Sequence, residues 1–281
     1  MGIVLGDNSY GKAENRVVRI HRDNPRHEIR DVTVSTALRG DFSAAHLEGD
    51  QARVLPTDTQ KNTCYAYAKE KGLREIETYA LTLGRHFVDD VEPVTGARIA
   101  VDEHTWERVP VDGRGHDHTW VRRESEIRTT VVEVDATGAT VVSGLKDLVL
   151  LKSTGSEFAG FLVDEYTTLA ETHDRVMSTS LVATWRYTGT EVDWDKTWSD
   201  VRRILLERFA TVHSLALQQT LWEMGKAVLR AHPEIAEVSL SAPNKHHFAV
   251  DLSAFGLENS GEVFYAADRP YGLIEATVTR D

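Results

Sequence analysis

The amino-acid sequence predicts an α+β protein with antiparallel sheets and helix pairs packed on one sheet face. Strand-period alternation runs through Val32, Val34, Thr36 and Leu38, and again through Leu181, Ala183, Trp185 and Tyr187. Helix-period spacing follows each of these: Ile76, Tyr79 or Ala80, Leu83 and Phe87 in the first half; Trp198, Val201, Leu205 and Phe209, then Leu217, Leu221, Met224 and Val228, in the second. Further strand patterns close each half, around 97–109 and 118–134, then 235–252 and 262–279. The order strand pair, helix pair, strand pair therefore occurs twice. Strands grouped before and after helices, rather than alternating singly with them, favour antiparallel over parallel sheets. Asp193 is placed to cap the helix that opens the second pair. A turn-rich segment at 135–139 separates two valine-rich runs, dividing the chain into domains 1–136 and 137–281. The halves share a pattern and no sequence identity.

With 281 residues and 41% hydrophobic content, the chain has enough apolar mass for two cores. The formal net charge is -12 and no run of Lys or Arg forms a basic stripe, so a nucleic-acid partner is not expected. Cys64 is the only cysteine, which excludes an intrachain disulfide framework and a Cys-rich zinc or iron–sulfur cage. No segment approaches the ~20 apolar residues of a membrane helix, and the N-terminal residues lack the charged and apolar regions of a signal peptide. The final residues, VTRD, differ from the Ser-Lys-Leu type of peroxisomal address. A cytoplasmic protein with no membrane partner is expected. Without GxGxxG or a Walker A sequence, nucleotide cofactors lose their commonest signature.

Two segments concentrate polar chemistry. SAPNKHHF, at 241–248, joins two strand patterns and offers an amide, an ammonium and two imidazoles; it reads as a functional loop or as a polar turn. LPTDTQKNT, at 55–63, offers Thr57, Asp58 and Thr59, which on their own read as N-cap residues of a helix containing Cys64 and Tyr67. His116 and His118 lie on one side of a strand pattern with His104 able to approach, which is a candidate metal site lacking a converging carboxylate or thiol.

Other motifs accompany these in order: YGKAENRV at 10–17, LKSTGSEFAGF at 151–161, DEYTTL at 164–169, THDRV at 172–176, SLALQQTLWEM at 214–224 and VFYAADRPYGLI at 263–274. Together they resemble the urate oxidases, and the last resembles their bacterial branch. The resemblance implies two tandem tunnelling-fold (T-fold) domains per subunit, closed into a barrel on pairing and stacked as a homotetramer with sites at subunit interfaces. It implies oxidation of urate by O2 and water to 5-hydroxyisourate and H2O2, without a cofactor and with no metal.

The implied roles fall on individual residues. Phe158 would stack on the purine, Arg175 would fork onto one edge, and Gln218 would pair the opposite edge. Leu217 would act through its backbone N–H, and Thr57 and the backbone at Asp58 would also touch substrate. Lys12, Thr57 and His246 would form a proton relay in which the Thr57 hydroxyl passes its proton to a neighbour. Asn244 would hold O2 above the ring plane, while Lys245 and His247 would serve the turn or a subunit contact. Lys12 and Thr57 would come from one subunit and Phe158, Arg175, Gln218, Asn244 and His246 from the next. Each residue also has a plain reading: Phe158 as core, Arg175 as a surface ion-pair partner, Gln218 as a solvated helix position. The competing functions are a metal-dependent pterin-type T-fold enzyme and a non-catalytic purine-binding homologue.

Overall fold

The structure, a computed structural model, describes residues 2–267 and 269–281. Met1 and Asp268, the latter within the 263–274 motif, lie outside the described residues. In chain order the elements are β1 (Asn15–His21), β2 (Glu28–Gly40), α1 (Ser43–Leu47), α2 (Thr57–Glu70), α3 (Ile76–Asp90), β3 (Val94–Val111), β4 (Arg114–Asp135) and β5 (Gly138–Lys152). Then follow β6 (Met177–Tyr187), α4 (Trp194–Thr211), α5 (Leu217–Ala231), β7 (Ile235–Asn244), β8 (His247–Ala249), β9 (Phe264–Ala266) and β10 (Gly272–Thr279). The chain forms two compact units: Met1–Gly144 with Arg186–Lys196, and Leu145–Trp185 with Thr197–Asp281.

In the first unit β1 to β4 form an antiparallel meander, with Val17 opposite Val32, Val34 opposite Val101, and Ile99 opposite Val132. Register follows the alternation, because a one-residue slip would turn the apolar set to solvent. The predicted Val32, Val34, Thr36 and Leu38 face is buried throughout. Helix α3 lies across β3 and β4, burying Ile76, Tyr79, Ala80, Leu83 and Phe87. Its Glu77 is fully buried; the carboxylate accepts from Arg128 Nη2 at 2.8 Å and Ser143 Oγ at 2.6 Å, which supplies the partners a buried charge needs. Arg128 also donates to Asp195 at 2.6 Å.

In the second unit β7 and β10 pair antiparallel, with Val238 opposite Val278 and Leu240 opposite Ala276. Leu181, Ala183 and Trp185 of β6 are buried as the alternation predicts. Helix α5 covers β7 and β10 with Leu217, Leu221, Met224 and Val228. Asp193 accepts from the Lys196 N–H at 3.2 Å, just ahead of α4, as expected of its cap.

Two boundaries depart from the sequence expectation. The 235–252 pattern breaks at Asn244, where β7 loses its β10 partner beyond Gly272 and the Lys245 N–H turns to Ser178 O at 2.9 Å. SAPNKHHF is thus a strand end, a single bridge and the start of β8, and not a polar turn. The 262–279 pattern is likewise two strands, β9 and β10, separated around Pro270.

The two sheet-covering helices are seated in the same way. A Cβ on Gly84 of α3 would lie 2.7 Å from Val134 Cγ2, and one on Gly225 of α5 would lie 2.6 Å from Val278 Cγ2. Each glycine lets a helix approach its sheet more closely than any side chain would allow. Alanine normally stabilises a helix relative to glycine by about 1 kcal/mol. At these two positions the clash should reverse the sign: Gly84→Ala and Gly225→Ala are each expected to cost ~1–3 kcal/mol. The check is a lower urea midpoint at unchanged m value, and a midpoint that rises would contradict this seating.

Candidate active site

In the second unit the chain leaving β5 loops out and returns before β6, and its backbone is pinned at several points. Phe158 and Thr172 exchange N–H···O bonds of 2.8 and 2.9 Å, Arg175 N–H donates to Ser156 O at 2.9 Å, and Glu157 N–H donates to Ser214 O at 2.7 Å. The Glu157 carboxylate bonds His213 Nε2 at 2.5 Å and His173 Nδ1 at 3.1 Å, and these two rings hold its pKa below the usual carboxylate range. The loop is therefore tied to the residues that lead into α5.

This pinning sets a cation over an aromatic face. The Arg175 guanidinium lies 5.4 Å from the Phe158 ring centroid, and Phe158 stacks on Phe161 at 4.8 Å. Arg175 Nε is buried without a hydrogen-bond partner among the described residues, and burial pushes the group's pKa down. The plain surface reading of Arg175 is corrected in part: the residue is half-buried, and its Nε is shut away from solvent with no acceptor among the described residues.

Helix α5 opens next to it. Its N-cap is Ala216, which supplies no side-chain cap, so the first-turn N–H groups, Leu217 and Gln218 among them, have no intrahelical acceptor and carry the positive end of the helix dipole. Asn244 ends β7 opposite Gly272, and the next residues are fixed by Lys245 N–H on Ser178 O and Ala267 N–H on His246 O. The His246 ring stacks on Phe248 at 5.6 Å. Phe158, Arg175, Leu217, Gln218, Asn244 and His246 all line one cavity of about 700 Å³. His247, assigned by sequence to the turn or a subunit contact, lines it too, as do Thr172 and Asp174. A cavity wall of this kind has no sequence signal beyond nearness to the motifs.

The remaining predicted residues belong to the first unit. Helix α2 starts at Thr57 behind an N-cap proline, Pro56, with no side-chain cap. The capping reading of Thr57, Asp58 and Thr59 is thus corrected: Thr57 is already inside the helix, and the Asp58 carboxylate bonds Lys61 and Asn62 instead. Lys61 accounts for most of the lowering of the Asp58 pKa, and Lys12 adds to it through space, which puts the Lys12 charge within electrostatic reach of this first turn. Thr57 is half-buried and lines a smaller cavity of about 370 Å³ with Tyr10, Phe42 and His46.

Comparison with known proteins decides the family. Residues 8–133 and 141–275 match the family model described as Uricase. The chain belongs to the uricase family. It is 53% identical to the uricase of Arthrobacter globiformis over 279 residues, covering 99% of this chain and 91% of that protein. It is 37% identical to the uricase of Oryctolagus cuniculus, covering 96% of this chain and 93% of that protein. The crystal structure of the Arthrobacter globiformis uricase superposes with a TM-score of 0.96, covering 100% of this chain and 96% of that one. A uricase structure from Bacillus fastidious, 25% identical, gives 0.84 over 97% of this chain and 93% of that one.

The histidines considered for a metal do not support that reading in this uricase-family chain. His104 Nδ1 accepts from Arg122 at 2.7 Å and its Nε2 bonds Thr33 Oγ1 at 2.9 Å, so both ring nitrogens are engaged. His116 and His118 stack edge-on at 4.4 Å, and among the described residues no three His, Cys, Asp or Glu groups are arranged to hold a metal ion.

A half-buried guanidinium whose Nε has no hydrogen-bond partner among the described residues is partly desolvated without compensation, which costs stability. Arg175→Met, which keeps the aliphatic stem and removes the charge, should therefore leave the ligand-free protein unchanged or more stable, by up to ~2 kcal/mol. Equilibrium unfolding measures this, and a clear loss of stability would mean that Arg175 is a structural residue.

Proposed function

We propose that this uricase-family protein is a urate oxidase, converting urate, O2 and H2O to 5-hydroxyisourate and H2O2. The observation that carries the site assignment is Arg175: a guanidinium with a buried, unpartnered Nε, set over the Phe158 ring beside the uncapped first turn of α5. Urate is a flat purine anion with amide-like edges. It needs a stacking face, a cationic fork and directional donors, and Phe158, Arg175, the Leu217 N–H and the Gln218 carboxamide supply them.

The reaction then requires protons to leave the bound purine. Thr57 and Lys12 take them up at one side, and His246 passes them through water at the other. The resulting electron-rich dianion gives electrons directly to O2, which Asn244 holds above the ring plane, so the reaction needs no flavin or metal. A hydroperoxide at C5 loses H2O2 as water adds. Asp58 contributes its backbone at the start of α2.

We further propose that the chain carries two tandem T-fold domains, 1–136 and 137–281, and assembles as a homotetramer of barrels. Lys12 and Thr57 of one subunit would complete a site with Phe158, Arg175, Gln218, Asn244 and His246 of its neighbour. Two features support an assembly. Among the described residues β1 of the first unit is paired on one side, with β2, and β10 of the second unit on one side, with β7, and large apolar side chains such as Leu162, Val163, Tyr166, Tyr265 and Leu273 are exposed.

The direct assay is loss of urate absorbance with equimolar H2O2, in metal-free buffer containing chelator. Lys12→Met and Thr57→Ala should each lower kcat by about 10²-fold while KM for urate changes little. Full rate in either variant would remove the relay, activity that disappears with chelator would restore the metal reading, and no turnover by the unmodified protein would overturn the function.

A further inference from the structure

The segment 10–12 is not part of β1, yet it is fastened closely to the C-terminal end of β2. Tyr10 and Leu38 exchange backbone bonds of 3.1 and 2.8 Å, and Thr36 N–H donates to Lys12 O at 2.8 Å. A Cβ on Gly11 would lie 1.7 Å from Thr36 O, so only glycine lets the chain pass there. Beneath this contact runs a buried polar chain. Lys12 N–H donates to Thr36 Oγ1 at 3.1 Å, and Thr36 Oγ1 donates to Gln60 Oε1 at 2.7 Å. The Gln60 amide donates onward to Leu55 O at 3.4 Å, and Leu55 O also accepts from Tyr10 Oη at 3.1 Å. Thr36 is 5% exposed and Gln60 is not exposed at all.

Gln60 faces inward from the first turn of α2, the turn that begins with Thr57, while Thr36 sits under the backbone of Lys12. The polar chain therefore connects the two groups assigned to the relay through their supports and not through their own reactive atoms. A glutamine is costly to bury, and this one has both ends of its amide engaged. Leucine would fill the same space between α2 and β2 without needing any partner.

We propose that Gln60 and Thr36 are positioning residues for the Lys12–Thr57 relay, holding the backbone of Lys12 at a fixed offset from the start of α2. This rests on the urate oxidase reading. Misplacement of a reacting group by about 1 Å can cost ~10²-fold in rate, so a bond pair of this kind has room to act without touching substrate. Because urate is gripped mainly by residues of the second unit, the loss belongs in kcat and not in KM.

Steady-state urate kinetics of Thr36→Val, Gln60→Leu and Thr36→Ser, alone and in the Lys12→Met background, test this. Thr36→Val and Gln60→Leu should each lower kcat about tenfold or more with KM within about twofold, and Thr36→Ser, which restores the hydroxyl, should keep most of the rate. In the Lys12→Met background the same two substitutions should cost almost nothing further, because a group that acts by positioning Lys12 has no effect once Lys12 is gone. Were one variant to fail to fold, the other would carry the same comparison. Unchanged kcat, a change confined to KM, or an equal loss with and without Lys12 would overturn the positioning role while leaving urate oxidation in place. Absence of turnover in the unmodified protein would overturn both.

Discussion

Helices α2 and α5, like α1 and α3, begin without a side-chain cap, and much of what surrounds their first turns follows from that. An α-helix leaves its first N–H groups without intrahelical acceptors, and a capping Ser, Thr, Asp or Asn usually occupies one of them. Here Pro56 and Ala216 stand at the N-cap positions of α2 and α5, and neither has a side chain that can accept a bond. The open donors and the positive dipole end make each first turn a place where a negatively charged, acceptor-rich ligand is favoured. For α5 the position of that first turn is fixed from behind. Gly225 lets the helix sink onto Val278, and the buried Leu217 and Leu221 anchor its opening residues, so the exposed Gln218 is held at the cavity edge.

The electrostatics of the chain are local in consequence. A formal net charge of -12 does not draw an anion in from a distance, and exposed charges are screened beyond ~8 Å at physiological ionic strength. Attraction must come from what lines the cavity, and there Arg175 is held with a buried Nε that has no hydrogen-bond partner among the described residues. Its energetic cost in the ligand-free state and its usefulness to a bound anion are two sides of one arrangement. Glu77 illustrates the opposite solution. It is a fully buried carboxylate whose partners, Arg128 and Ser143, are built in, and these bonds join α3 to its sheet.

Much of this was legible in the sequence because it is written in periods. Alternation at Val32 to Leu38 and at Leu181 to Tyr187, and helical spacing at Ile76 to Phe87 and Leu217 to Val228, depend only on neighbours along the chain, and each appears as an element with the expected face buried. The motifs also picked out six residues that share one cavity. What escaped was set by pairing between distant segments. Nothing local says that Asn244 ends a strand, since that depends on where β10 begins; nor that Thr57 is preceded by its cap rather than being it; nor that His247 faces the cavity. The link from Lys12 through Thr36 to Gln60 spans three separated segments, and no single-chain period reports it. The Glu157 bridge to His173 and His213 was missed for the same reason.

The proposed site would differ from an ordinary single-chain active site in one respect: its relay and its anion cradle would come from different copies. Mixing subunits tests this directly. Chains carrying Lys12→Met and chains carrying Arg175→Met, each with turnover cut by about 10²-fold or more when alone, would be unfolded and reassembled together. Random pairing should return about a quarter of the sites with both residues intact, and urate turnover should reappear at about that fraction of the unmodified rate. Mixed assemblies that form but remain inactive would contradict a site shared between subunits.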